Sequence, residues 1–150
     1  MKTWRKRILG VSILGAAIAV GSDVWVLATP HINPPSAAAG WKLSAPAGCV
    51  NSIPAEAQVW RGTSGARRVC RAEYAGSPTM RLTLFEMPEW PGATAFDAFQ
   101  KWRPDQPGKI GFFKGRYFGV VESPQADRAT LDRFAVAVQK ALPGKSEDRW

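Results

Sequence analysis

Four positive charges within the first seven residues, Lys2, Arg5, Lys6 and Arg7, are followed by an uncharged apolar run from Ile8 to Ser22. A basic start leading into an apolar stretch is the pattern of a secretory signal, and it withdraws about 28 residues from any folded core. The small residues closing Val26-Leu27-Ala28 form a signal-peptidase site, and cleavage there would release a soluble protein. Joined to Val24-Trp25-Val26-Leu27, the same run reaches about 21 residues, enough for one membrane-spanning helix. Trp4 and Trp25 would then lie near the two interfaces with the basic end in the cytoplasm, and Asp23 would be close enough to the outer end to reach headgroups. Signal and anchor stay open as alternatives. Either way the chain that follows is delivered out of the cytoplasm, secreted, periplasmic or held at the inner membrane.

About 120 residues remain, which suits one domain with a single core of two layers. Setting aside Lys2, Arg5, Lys6, Arg7 and Asp23 leaves 16 of the 20 basic and 11 of the 12 acidic residues, a surplus of +5. That surplus favours anionic polymers or surfaces without naming one, and nucleic acid is not expected as a partner. Both cysteines, Cys49 and Cys70, follow the N-terminal segment. In an oxidising compartment an isolated pair forms a disulfide, here closing a loop of about 20 residues and contributing roughly 3 kcal/mol. Two cysteines and one histidine fall short of a structural zinc site, so neither metal nor cofactor is expected.

Residues 29–40, rich in proline and alanine, read as a linker that contains His31, the only histidine; the domain is expected over 41–144 and a polar tail over 145–150. Ala57 to Arg61 and Arg67 to Tyr74 flank Gly62-Thr63-Ser64-Gly65, a hairpin connection. The second segment places Cys70, Ala72 and Tyr74 on one face against Arg67, Val69, Arg71 and Glu73. Gly76-Ser77-Pro78 turns the chain into a third strand, Thr79 to Met87, which alternates Met80, Leu82 and Leu84 against Arg81 and Thr83. Ala93 to Trp102 predicts a short helix with Phe96, Phe99 and Trp102 along one side. Ile110 to Phe113 and Arg116 to Glu122 surround Lys114-Gly115 as a second hairpin. Asp127 caps a last helix whose Leu131, Phe134, Ala135, Val138 and Leu142 make the apolar stripe, with Gln139 and Lys140 elsewhere. The expected fold is therefore α+β, an antiparallel sheet of about five strands in the order βββ-α-ββ-α with both helices packed mainly on one face, preceded by the N-terminal apolar helix.

In Leu84-Phe85-Glu86-Met87, the Ala95-Phe96 helix start, the hairpin Phe113-Lys114-Gly115-Arg116-Tyr117-Phe118 and the closing amphipathic helix, the chain resembles a family of uncharacterised bacterial extracytoplasmic domains. The resemblance runs from about Trp41 to Leu142 and implies an extracytoplasmic α+β domain. Asp97 stands where such domains often carry a small residue, and the resemblance assigns no functional residues.

No Ser-His-Asp or Cys-His set can be assembled from one histidine and a bridged cysteine pair. Glu86, Glu89 and Asp97, bordered by Trp90 and Trp102, are the carboxylates that a small secreted hydrolase would use. The leading expectation is instead a non-catalytic envelope module. Arg67, Arg71 and Arg81 on the sheet, together with Trp90, Phe113 and Tyr117, are its candidate contacts for an envelope protein or an anionic polymer.

Overall fold

A computed structural model describes residues 30–51 and 62–149. The expected N-terminal helix and the expected strand over 57–61 lie outside the described residues, and among those described no helix is long and apolar enough to cross a membrane. The elements run β1 (Ala37–Ala38), β2 (Trp41–Leu43), β3 (Gly48–Val50), β4 (Arg68–Ala75), β5 (Met80–Glu86), α1 (Ala95–Lys101), β6 (Lys109–Lys114), β7 (Tyr117–Glu122), α2 (Arg128–Ala141) and β8 (Glu147–Arg149). The α+β class holds, and the described strands form one antiparallel sheet in the order β1-β2-β4-β5-β7-β6-β8.

Strand β4 carries two partners end to end along its other edge. Lys42 and Leu43 of β2 pair with Ala75 and Tyr74, while Gly48, Cys49 and Val50 of β3 pair with Arg71, Cys70 and Val69. Two- and three-residue strands are too short to show an alternation, so their signal is absent from the sequence. The stretch expected as a linker is part of the domain, because its carbonyls meet buried donors. The Tyr74 hydroxyl donates to the Pro35 carbonyl at 2.8 Å, and burial pushes this phenol above its ordinary pKa. The Leu43 amide donates to Ser36 O at 2.8 Å, and the compact unit begins at His31. The tail is likewise paired, with β8 opposite Phe112–Lys114 and an ion pair between Lys114 and Glu147.

The two helices lie on opposite faces of the sheet, a correction to the expectation of one face. Helix α2 packs Leu131, Phe134, Ala135 and Val138 against Cys70, Ala72, Tyr74, Met80, Leu82, Leu84, Phe112 and Val121. Helix α1 packs Ala95, Ala98 and Phe99 against Val69, Phe85, Phe113, Phe118 and Val120. Neighbours such as Leu84 and Phe85, or Phe112 and Phe113, thus serve different cores. A strand covered on both faces loses its period of two, which is why sequence periodicity does not locate α1. Glycines give the rings room: a Cβ on Gly119 would overlap the Phe112 ring, and one on Gly111 would lie 2.6 Å from Trp102 Cε3. Gln139, assigned to the polar side of α2, is 2 % exposed and donates its amide to the Phe113 carbonyl at 3.1 Å.

Candidate functional site

Glu86 ends β5 on the α2 face, opposite Arg68 of β4 and Tyr117 of β7. Its side chain is 5 % exposed, and a carboxylate so buried needs partners. Among the described residues these are the Arg116 guanidinium at 3.3 Å from Oε1 and His31 Nδ1 at 2.9 Å from Oε2. Arg68 reaches over the same end of the sheet, donating to Ile32 O at 3.3 Å and to Asn33 Oδ1 at 2.7 Å. Burial alone would lower the Arg116 pKa, but the Tyr117 oxygen, Glu86 and Glu89 favour the charged form and hold it above its ordinary value. The shallow gap lined by Ile32, Arg68, Cys70, Leu84, Glu86 and Tyr117 leaves no room for a water molecule. His31, placed by the sequence in a linker, is thus an exposed partner of Glu86, and Arg116 is its mostly buried one. Neither was legible, since 55 residues separate His31 from Glu86 and no spacing rule links them.

The other carboxylates of the hydrolase alternative are placed differently. Asp97 closes a capping box at the start of α1: it accepts from the Thr94 hydroxyl at 2.6 Å and the Thr94 amide at 2.9 Å, while the Asp97 amide donates back to Thr94 Oγ1 at 3.2 Å. The hydrogen bonds from Thr94 hold its pKa below the usual carboxylate range. Glu89 is exposed in the turn that precedes α1. A folded-state pKa held low means that the cap's stabilisation is present above the unfolded pKa and is lost as pH falls through the folded one. Thr94→Ala removes the N-cap oxygen of α1 and is expected to cost about 1 kcal/mol at neutral pH. Thermal melts of wild type and variant, recorded from neutral pH down into the acid range, should draw closer as Asp97 protonates, leaving the part owed to the Asp97 amide bond to Thr94 Oγ1. A constant gap would count against this role.

The arginine-bearing face is the one that α1 covers only in part. Arg67, Arg71 and Arg81 are exposed on it, with Thr83 half-buried opposite Arg71. The Arg67 guanidinium lies 5.3 Å from the centroid of the Trp90 ring, and Trp90 is 56 % exposed. Beyond α1 a row of alternating charge crosses four strands, with Glu73 opposite Arg81, Arg81 opposite Glu122 and Glu122 opposite Lys109. Arg81 Nε is 3.5 Å from Glu73, and Lys109 Nζ is 3.5 Å from Glu122 and 2.9 Å from Asp105. Next to this row lies a groove of about 330 Å³ lined by Glu73, Thr79, Arg81, Glu122, Ser123 and Gln125 together with Pro124.

Phe113 and Tyr117, grouped with the arginines as candidate contacts, are core residues. Phe113 is 5 % exposed, between Phe96 at 5.4 Å and Phe99 at 5.3 Å, and Tyr117 is 1 % exposed and accepts from Arg116. Cys49 and Cys70 are bridged, as expected, across directly opposed positions of β3 and β4. The described residues hold no group of three or more His, Cys, Asp or Glu side chains that could bind a metal ion. Compared with protein-family models, curated proteins and solved structures, the chain matches none.

Proposed function

We propose that this protein is a non-catalytic extracytoplasmic module, delivered or anchored by its N-terminal segment, that binds an anionic component of the cell envelope through the α1 face of its sheet. The observation that carries the reading is the exposure of Arg67, Arg71 and Arg81 on one face, where the seven-residue α1 covers only part of the sheet. Burial of Phe113 and Tyr117 favours this face over the hairpin as the contact surface. The +5 surplus beyond residue 28 adds a favourable field, and the Cys49–Cys70 bridge suits an oxidising compartment.

The test is retention of the purified full chain on immobilised polyglutamate. Retention should fall as salt rises, and the double variant Arg71→Glu/Arg81→Glu should lower affinity about tenfold or more. Lys140→Glu, on the exposed side of α2, should leave it unchanged. Equal retention of both variants, or none by the wild type at low salt, would remove the proposal.

A further inference from the structure

We infer that the groove beside Arg81 is a sugar subsite and that the anionic partner is an acidic polysaccharide; this rests on the reading of the α1 face given above and names its ligand. The groove, at about 330 Å³, has the size of a small-ligand site, and Pro124 is the one apolar side chain among the described residues that line it. Glu73 and Glu122 supply acceptors only, Arg81 supplies a fork of donors, and Thr79 and Gln125 supply both. That mixture matches vicinal hydroxyls, each of which donates and accepts.

The charges of the lining already have neighbours, Arg81 beside Glu73 and Lys109 beside Glu122, so the groove does not itself call for a charged group. Its two carboxylates are good acceptors for hydroxyls, which a bare polyphosphate does not offer. The acidic groups of the polymer would meet Arg71 and Arg67, which precede Glu73 on the same face of the chain.

At the other end of this track stands Trp90. Its ring is 56 % exposed and is backed by the Arg67 guanidinium at 5.3 Å, which restrains its orientation. The C–H face of a pyranose packs on such a ring, while its hydroxyls stay in water. From Arg67 to Glu73 the chain advances six residues, roughly 20 Å at the rise of an extended strand. A polymer can engage both ends at once, and a monosaccharide cannot.

Three probes separate the possibilities with the full chain: polygalacturonate, its carboxyl-reduced neutral form, and polyglutamate at the same charge density. Polygalacturonate should bind more tightly than polyglutamate, and the neutral form should bind measurably at high concentration. Gln125→Ala and Trp90→Ala should each weaken polygalacturonate about five-fold or more and leave polyglutamate unchanged. Arg71→Glu should weaken both acidic polymers. If the two acidic polymers bind alike and neither Gln125→Ala nor Trp90→Ala discriminates between them, the sugar subsite is overturned while the anion-binding face stands. Loss of all binding in the wild type overturns both.

Discussion

Reducing the Cys49–Cys70 bridge is expected to destabilise the domain by about 3 kcal/mol, the chain-entropy value for a loop of this length. The two cysteines are 21 positions apart and face one another in the β3–β4 register, so the bridge closes the connection between two neighbouring strands. For a domain of this size, melts with and without reductant should differ by roughly 10 °C. The loss should also be local. Strand β3 has three residues and, among the described residues, pairs with β4 alone, whereas β5 is paired along its length on both sides. Reduction should therefore free the amides of Gly48–Val50 to exchange while those of β5 and β7 stay protected. Uniform exchange across the sheet would mean that β3 is held by more than the bridge and its short ladder. A shift below 2 °C would mean that the reduced chain keeps its ends together unaided.

The bridge was legible in the sequence because it needed only an inventory and a compartment. Strands β4 and β5 were legible too, as Cys70-Ala72-Tyr74 and Met80-Leu82-Leu84 keep a period of two where the opposite face carries Arg71, Glu73, Arg81 and Thr83. Helix α2 announced itself through the spacing of Leu131, Phe134, Ala135 and Val138, all of them buried. Legibility ended where the sheet is covered twice. At the end of β5 Leu84, Phe85, Glu86 and Met87 are all buried, and in β7 everything from Tyr117 to Val121 is buried, so no alternation distinguishes the two sides. Whether α1 joins α2 or opposes it is then decided by the path of the chain through Trp90–Thr94, which no propensity encodes. Candidate contacts fared likewise: arginines on the open part of the face could be placed by parity, while exposed Trp90 and buried Phe113 look alike as letters.

The same limit hid the partners of Glu86, whose removal should have the largest single effect after loss of the bridge. Glu86→Leu is expected to cost about 3 kcal/mol, because it takes the nearby carboxylate from Arg116, a side chain only 13 % exposed, and leaves a cation in a poorly solvated position. His31 should contribute less, since its ring is 57 % exposed and its removal opens the Glu86 oxygen it covers to solvent. His31→Ala is therefore expected to cost below about 1 kcal/mol. The informative variant is the double one, Glu86→Leu/Arg116→Met, which removes both charges and keeps apolar volume. If the pair is structural, chemical denaturation of the four proteins of this cycle should show the double variant more stable than Glu86→Leu alone, with a coupling of about 1–3 kcal/mol. Additive losses would show that Glu86 and Arg116 are stabilised by other neighbours. A carboxylate retained for hydrolysis behaves in the opposite way: Glu86→Leu would leave stability nearly intact and abolish turnover. Both Glu86 oxygens are already engaged, by Arg116 and by His31, which favours the structural outcome.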